Sequence, residues 1–287
     1  MKWSDFSKLI KLRLTFLVVF SASISFLIGS KVNGEIVWGD WLILIAGGLL
    51  VTSAANIFNE IIEKDLDKLM RRTMDRPLPS GNMTNGQALI IGMFAAIIGV
   101  LLLGRLNPTA GYLAIFSILL YAFAYTPLKR KSAIAVFVGA IPGALPPLIG
   151  YVAAHPKIDE IALILFGIQF VWQFPHFWAI AWVLDDDYKL AGFRLLPTGK
   201  RDTVSAIFAF AATLILLPVS LLPTYYGYGG YYVGGVSLVM SLVFLYQGAM
   251  LMLNRDIKSA KSLMYGSFLY LPVVQLMFLF DFLGKVK

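Results

Sequence analysis

A chain of 287 residues that is 59% hydrophobic and 14% charged, with mean hydropathy +0.77, is too apolar for a soluble domain, in which about a quarter of residues carry charge. Residues 1–287 read as a single polytopic membrane domain, because no stretch is polar enough to form a separate globular one. The net charge of +8 belongs to membrane-flanking loops rather than to nucleic-acid binding, and the absence of cysteine excludes disulfide and thiol chemistry.

Lys2, Lys8, Lys11 and Arg13 precede an apolar run from Leu14 to about Gly29. No clean small-residue cleavage site follows, so the run is expected to be an uncleaved first span. A spanning helix needs roughly 20 mostly apolar residues. Further runs of that kind fall at 40–62, 86–104, 109–126, 132–153, 159–184, 203–223, 229–252 and 262–283. They are continuous rather than alternating with period two, which selects helices over a closed barrel. The expected fold is therefore an all-α membrane protein with about nine transmembrane helices. Alternate connections carry the positive charge: Lys2 to Arg13, Lys64 to Arg76, Lys129 to Lys131, Lys189 to Arg201, and Arg255 to Lys261. The positive-inside rule then places the N-terminus in the cytoplasm and the C-terminus outside.

The second span runs into "NEIIEKDLDKLMRRTMDRPLPSG". On a helix, Asn59, Glu63 and Asp67 recur every fourth residue and line one stripe at the mouth of the span. Glu60 sits about one position off the stripe, and Asp65 on the far side. Carboxylates sharing a face repel one another unless a cation screens them. Hard oxygen ligands suit Mg²⁺, which commonly bridges one or two carboxylates to substrate phosphates. Arg71, Arg72 and Arg76 follow within one to three turns, where they can take phosphate oxygens. The same composition also fits a solvated loop whose acids and bases pair with each other.

The sixth span ends in the same way. Asp185, Asp186 and Asp187 are followed by Lys189 and Arg194, on the same side of the membrane and four spans later. Together the two clusters can hold Mg²⁺ around a diphosphate. The turn "YTPLKRK", from Tyr125 through Lys129 and Arg130 to Lys131, adds positive charge on that side. His176, in "QFPHFWAIA", lies about two turns into the apolar segment from Asp185. A membrane histidine of this kind serves as an inter-helix hydrogen bonder, a heme ligand or a base. Pro175 just before it predicts a kink.

These motifs carry a resemblance. Asn59, Glu63 and Asp67 followed by "RTMDRPLPSG" are similar to the first motif of the UbiA superfamily of intramembrane prenyltransferases. "YTPLKRKS", "GALPPLIGY", "PHFWAIA" and "DYKLAGFRLLP" resemble the branch of that superfamily that prenylates heme, and Asp65 fits that branch's D-x-D ending. In two places the chain departs from the pattern: Glu63 stands where Asp is usual, and Ala133-Ile134-Ala135 where an Asn is common.

The resemblance implies a UbiA-type bundle with a central cavity and a bacterial inner-membrane enzyme with its active site on the cytoplasmic side. The implied reaction transfers the farnesyl group of farnesyl diphosphate to a vinyl group of heme B, with addition of water and release of diphosphate. It implies catalytic roles for Asn59, Glu63, Asp67, Asp187 and His176. Mg²⁺ would be held by Glu63, Asp65, Asp67, Asp185 and Asp187, with Asp187 the best-placed acid of the second cluster. Substrate would be bound by Arg71, Arg72, Arg76, Tyr125, Lys129, Arg130, Lys189 and Arg194. The implied partners are farnesyl diphosphate, heme B, the lipid bilayer, and downstream heme A synthase or terminal oxidase assembly. Competing readings are prenylation of an aromatic quinone precursor and transport of an anionic solute.

Overall fold

The computed structural model describes residues 3–285. A short helix, α1 (Trp3–Leu9), precedes α2 (Leu12–Val32), α3 (Trp38–Asp67), α4 (Asn85–Leu106) and α5 (Pro108–Leu119). The chain continues without a break through a π-helical segment, Leu120–Tyr125, into the single turn α6 (Thr126–Leu128). Then come α7 (Ala135–Ala154), α8 (Glu160–Val183), the short α9 (Asp185–Leu190), α10 (Thr203–Tyr225), α11 (Tyr231–Asn254) and α12 (Ile257–Lys285). Among the described residues, nine helical segments are long and apolar enough to cross a membrane, in the order expected from hydropathy. α12 begins five residues earlier than expected, at Ile257, and the other difference of that size is at the end of the second span. There α3 continues five residues beyond the expected limit, to Asp67, so the whole acidic stripe is helical.

Helix starts follow local chemistry. Thr84 and Gln87 form a capping box at the head of α4. Asn107 caps α5, with Pro108 at the first helical position. Asp159 caps α8 and Asp202 caps α10, each by accepting a main-chain N–H. α11 lacks a cap of its own, and the buried carboxylate of Asp281 on α12 accepts the N–H groups of Gly230 and Val233 in its place.

Lipid offers no hydrophobic drive for helix association, so close packing through small residues takes over. α3 meets α4 where Gly47 faces Leu103 and Gly99 faces the main chain of Val51. α2 meets α7 where Gly29 sits against the Tyr151 carbonyl and Gly150 against Ala22. Pro147 in α7 has no N–H to offer the carbonyl of Gly143 four residues back. That carbonyl is satisfied across the interface by Gln169 Nε2 of α8, at 2.8 Å. α7 and α8 tie two cores together. One core gathers Phe26, Leu44, Leu103 and Tyr151; the other gathers Trp178, Trp182, Phe244 and Tyr270. α8 runs unbroken through Pro175.

Candidate active site

The last turns of α3 carry Asn59, Glu63 and Asp67, with relative exposures of 1%, 3% and 1%. The stripe read from the spacing exists, but it faces protein rather than solvent. Each member has a basic partner. Asn59 Oδ1 accepts from Lys11 Nζ at 2.7 Å, while its Nδ2 donates to Glu63 Oε2 at 2.9 Å and to Thr126 Oγ1 at 3.0 Å. Glu63 Oε1 pairs with Lys129 Nζ. Asp67 Oδ2 pairs with Arg76 Nη1 at 2.6 Å, and Thr73 Oγ1 turns the chain back by donating to the Asp67 carbonyl at 2.9 Å.

The second acidic segment joins this group through the loop after α3. The Arg71 N–H donates to Asp187 Oδ1 at 2.9 Å, and Met70 packs with Ala191 and Phe193. The basic turn after α6 closes the third side. The Arg194 N–H donates to the Lys129 carbonyl at 2.8 Å. Lys129 Nζ lies 5.2 Å from the ring centre of Tyr125 and 4.8 Å from that of Phe193. Segments from the ends of the first, second, fourth and sixth spans thus converge at one end of the bundle.

The electrostatics are those of cations short of a full anionic partner. Burial, reinforced by the positive charge of Arg76, pulls Lys11 down to about 7. Burial also lowers Lys129, against the opposing pull of Glu63. Burial holds the Tyr188 phenol above its ordinary value. An incoming polyanion would relieve the cost at both lysines.

Several expected residues lie apart from this centre. Asp65 is about 200° around the helix from Glu63; its side chain is 86% exposed and, among the described residues, pairs with Lys68 at 2.8 Å. The structure therefore places Asp65 outside the group expected to hold the cation. Asp185 is buried but already paired, with Lys189 at 2.6 Å and Arg201 at 3.7 Å. Asp186 is exposed and bound by Arg201. The side chains of Arg71, Arg72, Arg130 and Arg194 lie on the exposed rim. His176 Nδ1 bonds Ser267 Oγ of α12 at 2.8 Å, and its ring stacks on Trp172.

Three contributors escaped the sequence reading. Lys11 and Arg201 read in the sequence only as topology-setting charge, and Thr126 only as a member of the "YTPLKRK" turn. The adjacency of Lys11 to Asn59, 48 residues away in sequence, leaves no local signature.

Among the described residues, no three acidic or histidine side chains gather closely enough to hold a metal by themselves. Asp67 Oδ1 and Asp187 Oδ2 are nonetheless buried without a hydrogen-bond partner among the described residues. A free carboxylate oxygen is the donor type that a hard cation such as Mg²⁺ takes, and Asp67 and Asp187 would each offer one.

Residues 18–272 match the model of the UbiA prenyltransferase family. The chain belongs to the UbiA prenyltransferase family. Curated relatives include protoheme IX farnesyltransferase of Cytophaga hutchinsonii, 44% identical and covering 98% of each chain. The protein of that name from Flavobacterium psychrophilum is 42% identical, covering 97% of this chain and 94% of its own. A solved structure of digeranylgeranylglyceryl phosphate synthase has the same fold, with TM-score 0.81 at 20% identity over 98% of both chains. A UbiA homolog from Archaeoglobus fulgidus, bound to DMAPP and Mg²⁺, superimposes with TM-score 0.70 at 11% identity, covering 93% of this chain and 99% of that one. The all-α arrangement of spans described above is thus the UbiA fold.

Proposed function

We propose that this UbiA-family enzyme transfers the farnesyl group of farnesyl diphosphate to a vinyl group of heme B. The C1–O bond of the diphosphate breaks and a bond forms from C1 to the terminal vinyl carbon. Water adds to the inner vinyl carbon and releases a proton, giving heme O and diphosphate. The observation that carries the reading is the convergence of two acidic segments with Lys11, Arg76 and Lys129 at one end of an apolar bundle. The heme acceptor rests on the full-length similarity to relatives named protoheme IX farnesyltransferase.

The diphosphate would sit between the clusters, with Asp67 and Asp187 offering free oxygens to Mg²⁺. When bound, the cation neutralises charge on the leaving diphosphate. Lys11, Arg76 and Lys129 bind the same oxygens, and their charge is worth most where water is excluded. The buried helix end also keeps water from the allylic carbon until the acceptor is in place. Asn59 orients Lys11 and Glu63 through its amide. Arg71, Arg72, Arg130 and Arg194, on the rim, guide the anion in, while Tyr125 supports Lys129. His176 lies nine residues from Asp185, about 13 Å deeper at ~1.5 Å per residue. With Nδ1 taken by Ser267, Nε2 is the nitrogen that would face the heme.

In this reading the charged end faces the cytoplasm of a bacterial inner membrane, with the N-terminus on that side. The product passes to a downstream heme A synthase or to terminal oxidase assembly. The test is a direct one. Purified protein receives farnesyl diphosphate and Mg²⁺ with heme B and 4-hydroxybenzoate side by side, and the products are identified by mass. A farnesylated, hydrated heme is expected. Prenylated benzoate with untouched heme would overturn the assignment in favour of a quinone precursor. A transporter fits poorly, because its ionic groups belong near the membrane midplane, whereas these gather at a span end.

A further inference from the structure

A π-helical turn exposes main-chain carbonyls to non-standard partners and commonly marks functional sites. In this chain the π-helical segment Leu120–Tyr125 ends at Thr126, which is 2% exposed. The Thr126 hydroxyl donates to the Tyr121 carbonyl at 2.8 Å. A hydroxyl has one proton. With that proton committed to the main chain, the Thr126 oxygen acts only as an acceptor, and it accepts from Asn59 Nδ2 at 3.0 Å. The direction of the Asn59 amide follows. Its NH₂ faces Thr126 and Glu63 Oε2, and its oxygen faces the Lys11 ammonium.

Two of the three partners that fix this amide are mobile in chemical terms. Lys11 is a cation that a diphosphate would recruit, and Glu63 is a carboxylate that a cation would recruit. Thr126 is neutral, buried and tied to the backbone, so it alone stays in place when substrate arrives. We propose that Thr126 is a positioning residue. It holds Asn59 with its amide oxygen toward Lys11 throughout turnover, and so keeps the Lys11 ammonium aimed at the diphosphate while the amide NH₂ holds Glu63 in place. The inference rests on the reading that this end of the bundle binds a prenyl diphosphate.

The test compares Thr126→Val, Thr126→Ser, Asn59→Ala and the Thr126→Val/Asn59→Ala double variant, in detergent, with a thermal melt of each. Thr126→Val is expected to lower kcat/KM for farnesyl diphosphate about tenfold, the worth of one buried hydrogen bond, chiefly through KM and with the KM for heme unmoved. Thr126→Ser keeps both hydrogen-bonding roles and is expected to restore most of the loss. The double variant is expected to be no slower than Asn59→Ala, because Thr126 acts through Asn59. Fully additive losses would overturn the proposal. So would a Thr126→Ser that is folded but as impaired as Thr126→Val, or a Thr126→Val loss shared equally by both substrates. If the valine does not fold, Thr126→Ala is read by the same criteria. Calorimetric binding of inorganic diphosphate separates this proposal from the heme assignment. Weaker binding by Thr126→Val supports the positioning role even if no heme product forms in wild type, and unchanged binding rejects it.

Discussion

Removing the Glu63 carboxylate strands a buried ammonium. Glu63 is 3% exposed and Lys129 8%, and they form an ion pair whose ammonium lies over the rings of Tyr125 and Phe193. Breaking a buried pair from one side costs about 3–5 kcal/mol, because the surviving charge keeps its desolvation penalty. Asp67 also attracts Lys129, so the expected cost of Glu63→Ala is about 3 kcal/mol, the lower end of that range. For a chain of this size that is a fall in melting temperature on the order of 10 °C. Adding Lys129→Met removes the stranded charge and fills the space with an adaptable apolar side chain. The double variant should regain most of the lost melting temperature while still failing to make heme O. Glu63→Asp keeps the charge and should stay active. The assay pairs a detergent thermal melt with mass analysis of the heme product. A Glu63→Ala protein that melts like wild type, or a double variant that melts as low as the single one, would refute the electrostatic account. Heme O formed at the wild-type rate by either would refute the catalytic one.

Asp67→Ala should nearly abolish turnover, while Asp65→Ala should leave it within about twofold, since Asp65 is an exposed partner of Lys68 and exposed pairs are worth little; comparable losses at both positions would contradict the geometry. Treatment with EDTA should stop the reaction and added Mg²⁺ restore it, and full turnover in excess chelator would argue against cation-assisted loss of diphosphate. Lys11 titrates near 7 rather than its ordinary 10.5, so the unfolded chain holds that proton more firmly and Lys11 makes stability rise with pH between these values. Over the same interval loss of its charge should raise the KM for farnesyl diphosphate, and Lys11→Met should flatten that rise; a profile identical in both proteins would rule it out. His176→Ala should weaken heme binding more than farnesyl diphosphate binding, whereas a lowered melting temperature with unchanged heme affinity would leave His176 as a tie between α8 and α12 only.

The number and order of the spans were legible in the sequence because hydropathy is a local, additive quantity, and a bilayer demands about 20 apolar residues from each helix whatever its neighbours are. The stripe of Asn59, Glu63 and Asp67 was legible for a similar reason: the 3.6-residue period fixes which side chains share a face. The same period had already put Asp65 on the opposite face, and the tertiary structure leaves it in solvent with Lys68. What the sequence could not supply was the partner of each charge. Lys11 reaches Asn59, Arg71 meets Asp187 through its main chain, and Arg201 binds Asp186. A hydropathy profile registers each of those cations only as a loop charge. The π-helical turn that presents Thr126 to Asn59 likewise leaves no mark on an apolar run. Which carboxylate oxygens remain free at Asp67 and Asp187 depends on where every nearby donor ends up, and only the packed bundle decides that.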